Sequence, residues 1–386
     1  MTSIAAMALF NRQEGPIALY GATGYTGRLV AAELAAAKAD FVLSGRNESK
    51  LDALAEGLEG KPAVHAAALD DAVALSSLLA DCAAVIDCAG PFVRFGEPVL
   101  RAAIETETHY LDTTGEQAYM QMAFDRYGPE AEAAGVAVIP AMGFDYVPGD
   151  MLASLTARGM GELDEIALSY AWRDFQPSHG TARSALEVLS GEDVEWSNLK
   201  WQPASGSLGR GSFEFPEPIG RQRMIRYPSG EQITVPRHVA TRNVRTTMNA
   251  TAFAPPGMAA GVQLLGRPLG LALRTPLKRL LYAGISRLPE GPSPQRRASM
   301  RFMIVCEARR GEEESRGTIS GRDIYGLTAA AVSRGGMAAA ERGFSASGAL
   351  APSQAFDPEE FLGALEGFEL RWQVDRPRQA VGVPSP

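Results

Sequence analysis

Gly21-Ala22-Thr23-Gly24-Tyr25-Thr26-Gly27 follows a short apolar run, Ile17–Tyr20, and opens a helical pattern, so one glycine-rich turn joins a strand to a helix. Each glycine has a separate task there. Gly21 permits the tight turn, Gly24 lets the backbone approach a pyrophosphate, and Gly27 lets the helix pack closely on the strand. The N–H groups and positive dipole end of that helix then hold phosphate. The residues expected around it are Gly21, Thr23, Gly24, Tyr25, Thr26 and Gly27.

The end of the next strand carries the second marker. Ser44-Gly45-Arg46 places Arg46 nineteen residues after Gly27, where a site that prefers NAD carries an acid for the ribose 2′-OH. Ser44 and a guanidinium suit a 2′-phosphate instead, which makes NADPH the expected cofactor. Asp70 falls at the adenine edge, with capping of the following helix as the alternative. Ala89-Gly90-Pro91-Phe92 ends the fourth strand, at the carboxyl edge where open α/β sheets bind ligands, and its small residues would pass against the nicotinamide ribose.

From residue 16 to 147 apolar runs alternate with helical patterns. Strands are expected at Ile17–Tyr20, Phe41–Ser44, Val64–Ala68, Val85–Cys88, Tyr110–Asp112 and Val136–Ile139. Helices are expected at Gly27–Ala37, Lys50–Glu56, Asp71–Ala80, Glu97–Glu105 and Gln117–Ala134. This grammar gives an α/β fold with an N-terminal Rossmann, doubly wound parallel sheet. After residue 150 the pattern changes to strand-like stretches, Glu165–Trp172 and Glu231–Val239, with a Gly/Ser/Pro-rich loop or irregular hairpin over Ser205–Gly220. A long helix, Ile324–Glu341, comes late, and Gly326, Gly335 and Gly336 weaken the case for its continuity. The organisation expected is a cofactor domain from 1–150 and 322–352, an inserted α+β substrate or interaction domain from 151–321, and a C-terminal helix and tail over 353–386.

The net charge of −8 argues against a nucleic-acid partner, which requires a basic surface. Cys82, Cys88 and Cys306 have neither disulfide arithmetic nor metal-ligand spacing, so a metal-free protein in a reducing cytoplasm is expected. Met1–Phe10 lacks the basic start and apolar length of a signal peptide. Ten Lys and Arg against two Glu between 266 and 310 set a basic segment inside an acidic chain. With its leucines, 255–289 has the makings of a peripheral membrane contact or a cover for an acyl chain, and equally of a core-facing amphipathic helix.

Together with His109-Tyr110-Leu111-Asp112-Thr113-Thr114-Gly115-Glu116 and Gly143-Phe144-Asp145-Tyr146-Val147-Pro148-Gly149-Asp150, these motifs resemble the saccharopine dehydrogenase-like family, and within it the trans-acting enoyl reductases and the saccharopine dehydrogenase-like oxidoreductases. The resemblance is strong over 16–150, weaker through the second domain, and returns at Tyr325-Gly326-Leu327-Thr328 and Gly348-Ala349-Leu350-Ala351-Pro352. It implies that the late helix packs back on the cofactor domain. It also implies an NADPH-dependent oxidoreductase acting on an enoyl group of a small-molecule or acyl-chain substrate; the cysteine usage and the stretch 255–289 add a cytoplasmic location with peripheral membrane contact, and a homodimer is the oligomer expected. A saccharopine-type C–N oxidoreductase and a non-catalytic NADP-binding regulator are the alternatives.

Reduction of an enoyl thioester requires a hydrogen-bond donor at the developing enolate and a proton for the α-carbon. Asp145 and Tyr146 beyond the sixth strand, Tyr110 on the fifth, and His179 in the second domain are the candidates. The Tyr-x-x-x-Lys pair of simple carbonyl reductases does not follow the fourth strand. If Arg46 holds the 2′-phosphate, Arg46→Ala should weaken NADPH binding by roughly 10- to 150-fold and leave NADH binding nearly unchanged. Titration of wild type and variant with both cofactors checks it, and equal losses for the two would remove the assignment.

Overall fold

The computed structural model describes residues 15–190, 193–204, 211–252 and 277–375. Its first sheet contains β1 (Ile17–Tyr20), β2 (Phe41–Gly45), β3 (Ala63–Ala66), β4 (Ala84–Asp87), β5 (His109–Asp112) and β6 (Ala137–Ile139). They lie in the order β3-β2-β1-β4-β5-β6, all parallel, with Ile17 beside both Phe41 and Ala84. The reversal of order beside β1 puts a crevice at its carboxyl end, where the glycine turn stands. β1, β4 and β5 are buried throughout, which is why β1 and β4 read as nearly continuous apolar runs.

Helices α1 (Tyr25–Ala36), α2 (Glu48–Glu56), α3 (Ala72–Leu79), α4 (Phe92–Glu105), α5 (Gln117–Met122) and α6 (Gly128–Ala134) connect these strands, and α7 (Val147–Ala157) leads out of the sheet. Val30, Leu34 and Leu51 pack with one core layer, while Leu75, Leu100 and Tyr119 pack with the other. Two expectations change here. The helix expected over Gln117–Ala134 is broken by a π turn at Ala123–Tyr127, and the one expected from Glu97 begins at Phe92. That start lies earlier than the pattern suggests because it is fixed by the carboxylate of Glu116, distant in sequence.

The second sheet is mixed and begins at β7 (Glu165–Arg173), which pairs parallel with β12 (Val244–Asn249) and antiparallel with β13 (Arg301–Arg310). Helix α8 (His179–Ser190) and a small hairpin, β8 (Val194–Ser197) with β9 (Lys200–Pro203), follow β7. β10 (Ser212–Phe215) and β11 (Gly220–Arg226) form a hairpin on one side of this sheet, and β14 (Glu313–Arg322) extends the other. Glu231–Val239 is not a strand. It is α9 (Glu231–Thr234) followed by a 3-10 turn with Pro236, and Glu231 through Val235 are all buried where a half-buried strand would alternate. Of the basic stretch 255–289, residues 255–276 lie outside the described residues; α10 (Leu277–Ile285) is its described helix, and α11 (Pro294–Ser299) comes after it.

Helix α12 (Ile324–Ala340) returns to the first sheet and runs unbroken through its glycines. A Cβ at Gly335 would stand 2.8 Å from Met142 Cε, and one at Gly336 would stand 2.6 Å from Ile86 Cδ1. These glycines therefore mark the closest approach of helix to sheet, a gain that offsets their poor helix propensity of about 1 kcal/mol each. β15 (Gly348–Ala349) then joins the first sheet beside β6. After α13 (Pro352–Ala355) and α14 (Pro358–Gly363), the segment expected as helix and tail makes β16 (Arg371–Asp375), which pairs with β14 of the second sheet. Gly336→Val should cost about 1–3 kcal/mol by overpacking against Ile86. Thermal melting of the variant measures it, and an unchanged midpoint would show that the contact yields without cost.

Candidate functional site

At the carboxyl end of β1 the chain turns through Gly21, whose φ of +74° favours glycine, and Gly24 N–H donates to the Gly21 carbonyl at 3.0 Å. A Cβ on Gly27 would collide with that carbonyl and stand 2.8 Å from Ala22 Cα. Gly24 offers no side-chain cap to α1, so the first-turn N–H groups are left for an anion. This cradle fits the pyrophosphate of a dinucleotide.

The second domain holds the loop from outside. Tyr25 Oη donates to the Pro292 carbonyl at 2.6 Å, and its ring meets Tyr325 edge-on at 5.2 Å. Gly291 lies against that ring so closely that a Cβ would sit 2.5 Å from it. Arg28 Nη1 donates to the Thr23 carbonyl at 2.6 Å, and Nη2 pairs with Glu290 at 2.7 Å. The two side chains are 40% and 47% exposed, so this ion pair orients the segment 288–292 and contributes at most about 1 kcal/mol.

On the adenosine side, Ser44 is fully buried and its hydroxyl donates to the His65 carbonyl at 2.7 Å, which makes it a brace between β2 and β3. Arg46 and Asp70 are exposed at the same edge. The helix cap considered for Asp70 belongs to its neighbour, since Asp71 Oδ1 accepts from Ala74 N–H at 3.0 Å. On the nicotinamide side, buried Asp87 accepts from Ala89 N–H at 2.8 Å, and burial pushes its carboxyl up to about 8. Burial also raises the Cys88 thiol, so Cys88 is no nucleophile. Phe92 and Val93 N–H each donate to Glu116 at 2.9 Å, and Ser184 of α8 donates to the same carboxylate at 2.7 Å. Glu116 therefore starts α4 and ties the turn of Ala89, Gly90, Pro91 and Phe92 to the second domain.

The four catalytic candidates separate. The Asp145 carboxyl lies opposite Gly115, where a Cβ would be 3.6 Å from its Oδ2. Burial raises it to about 6, and it accepts no hydrogen bond from any described residue. Tyr146 is spent on packing, its hydroxyl donating to the Gly115 carbonyl at 2.8 Å. Tyr110 must be corrected outright: it is fully buried inside the first domain, bonded to Tyr119 Oη at 2.7 Å and to Asp87 at 3.3 Å, and cannot meet a substrate. His179 lines a cleft of about 690 Å³ with Thr23, Arg28 and Lys50, a cleft that Asp145 does not line.

Sequence reasoning missed Tyr227, Tyr170 and Glu231. Tyr170 is hydrogen-bonded to Glu231, whose carboxyl burial raises to about 8, and its ring meets Tyr227 at 5.6 Å. Asp145 and Tyr146 both act on the Tyr227 hydroxyl, whose proton burial holds well above the ordinary range. No local motif marks these residues, because they converge from β7, the turn after β11, and α9. Among the described residues no group of three or more His, Cys, Asp or Glu is placed to hold a metal, and no helix is long and apolar enough to cross a membrane.

Residues 17–139 match the family model described as the saccharopine dehydrogenase NADP binding domain. A candidate trans-acting enoyl reductase of Mycobacterium tuberculosis is 36% identical over 191 residues, 46% of this chain and 45% of that protein. The trans-acting enoyl reductase of Mycobacterium bovis is 30% identical over 213 residues, 52% of this chain and 51% of that protein. The chain thus spans about half the length of the curated relatives it matches. Its whole fold is similar to that of the L-glutamate-forming saccharopine dehydrogenase of Saccharomyces cerevisiae, with a TM-score of 0.59 at 17% identity over 94% of this chain and 100% of that one.

Glu116→Ala should leave two N–H groups without their acceptor, fray the start of α4, and cost about 2–4 kcal/mol. Melting temperature and NADPH titration should both fall, with Glu116→Gln intermediate because its amide offers one acceptor oxygen where the carboxylate offers two. A variant as stable as wild type would reduce the cap to an ornament.

Proposed function

We propose that this chain, which carries a saccharopine dehydrogenase NADP-binding domain, is an NADPH-dependent oxidoreductase that reduces the C=C bond of an enoyl group on a lipid- or polyketide-like substrate. The observation that carries the reading is the Asp145 carboxyl. It stands without a hydrogen-bonding partner among the described residues, just beyond the sixth strand and facing Gly115, with Tyr227 close by. Relatives named as trans-acting enoyl reductases support the reaction class.

The bound nicotinamide supplies the hydride. The chain's own part is to present the acceptor carbon to it at the Ala89–Phe92 turn, which Glu116 holds in place. As hydride reaches the β-carbon, the electron pair of the C=C bond moves toward the thioester oxygen, and a hydroxyl such as that of Tyr227 stabilises the resulting enolate. Asp145 in its carboxylic acid form then gives its proton to the α-carbon and is left as carboxylate, to be reprotonated from water.

The arginines weigh against a saccharopine-type substrate with several carboxylates. Arg173 donates to the Pro218 carbonyl, Arg226 pairs with Asp193, and Arg237 pairs with Asp125 and lies over Phe124. Arg183 binds Ser286, and Arg221 binds Ser212. None is bonded to Asp145 or Tyr227. A purely regulatory NADP-binding role leaves the acid unexplained. The same reading places an acyl-chain or small-molecule substrate in the cytoplasm, with membrane contact through 255–289 and assembly as a homodimer as its extensions.

With an enoyl thioester as substrate, kcat/KM should be highest below about pH 6 and fall as pH rises through that value, because the acid form is the one required. Asp145→Asn should lower kcat at least roughly 100-fold, flatten the profile, and leave NADPH affinity unchanged. Rates within a fewfold of wild type in a variant that still binds NADPH would overturn the assignment.

A further inference from the structure

The cleft of about 690 Å³ beside the glycine loop has one wall in each domain. Thr23, Arg28 and Lys50 come from the first, and His179, Leu288 and Glu290 from the second. Most of its polar groups are already engaged. The Thr23 carbonyl accepts from Arg28, and Arg28 is neutralised by Glu290. Two groups are not.

Lys50 lies in the first turn of α2, four residues after Arg46. Its main-chain N–H is fixed by Asn47 at 3.0 Å, and its ammonium makes no ion pair with a described residue. His179 faces the same space from the start of α8. Its main-chain N–H donates to the Glu290 carbonyl at 2.8 Å, and its ring Nε2 stands 2.8 Å from the Leu288 carbonyl. A carbonyl only accepts, so Nε2 carries the hydrogen; Nδ1 is the nitrogen that Leu288 does not engage, and it donates only in the imidazolium form.

An unpaired ammonium and, in the imidazolium form, an Nδ1–H that Leu288 does not use, in a cleft lined by Thr23 of the phosphate-binding loop and by the first turn of the helix that follows Arg46, match a compact dianion. Two cationic donors gain more from a phosphate dianion than from a neutral ribose hydroxyl, because charge-assisted hydrogen bonds are the stronger ones. We propose that Lys50 and His179 hold the 2′-phosphate of NADPH together with Arg46, so that the second domain takes part in choosing between NADPH and NADH. This rests on the NADP reading of the first domain and extends it across the domain boundary. The Arg28–Glu290 pair then has a definite task, which is to hold the His179-bearing wall in register with α1.

Calorimetric titration of the full chain with NADPH, NADH, 2′,5′-ADP and 5′-AMP tests it. Lys50→Ala should weaken NADPH and 2′,5′-ADP roughly five- to twentyfold, with NADH and 5′-AMP changing less than about twofold; a solvent-facing charged contact justifies no larger figure. His179→Ala should act in the same direction, and Lys50→Arg should keep most of the affinity, which separates loss of charge from misfolding. Parallel losses for all four ligands would overturn the proposal, because they would place the pyrophosphate, or only the shape of α2, at Lys50. Unchanged binding of 2′,5′-ADP in both alanine variants would overturn it equally. Arg46→Ala, measured alongside, keeps the two levels apart: if it weakens NADPH but not NADH while Lys50→Ala and His179→Ala are silent, only the cross-domain contact falls.

Discussion

Helix α1 can begin where it does because Gly27 brings no side chain against the Gly21 carbonyl and the Ala22 backbone. That approach aims the first-turn N–H groups across the crevice beside β1, and the rest of the molecule is arranged around the result. α12 lies directly against α1, and α2 contributes Leu51 and Ala55 to the same core layer. Tyr25, one residue into α1, reaches both Tyr325 of α12 and Pro292 of the second domain. A single close packing of backbone on backbone thus fixes the phosphate cradle and the seat of the second domain together.

The carboxyl edge of the first sheet is rich in buried acids, and their partners sort them by role. Asp87 and Asp112 accept backbone N–H groups and hold the turns that follow β4 and β5. Glu116 does the same for the start of α4. Asp150 is buried as deeply, yet His238 and Ser353 more than offset the upward pull of burial and hold its carboxyl below the usual range, which ties α7 to the second domain and to α13. Asp145 has no such claim on it, and chemistry is the remaining use for a costly group.

The first sheet was legible because its central strands are buried on both faces and its turns carry glycine in fixed places. Strand limits agree with the sequence pattern to within two residues. What could not be read depends on partners distant in the chain. Phe92 begins a helix because Glu116 folds back to cap it, and no residue before Phe92 announces this. Ile233 and Val235 alternate as a strand would, but their neighbours are buried too, a consequence of packing that pattern alone does not contain. In the site, the glycine loop and Arg46 were visible as motifs, whereas Tyr227, Glu231 and the segment around Glu290 enter only when the second domain is set against the first.

The return of α12 and β15 to the first sheet has a consequence for how the protein is made. β6 ends at Ile139, and its outer neighbour begins at Gly348, so a ribosome delivers β7 through β14 of the second domain before the first sheet can be closed. Until α12 emerges, Ile86 and Leu111 have no cover over the surface that Gly335 and Gly336 will press against. An intermediate with that face open should dwell on the ribosome for the time needed to synthesise some two hundred residues, about 10–40 s at ordinary rates. Completion of the cofactor domain is thus postponed until most of the domain it must grip has been made.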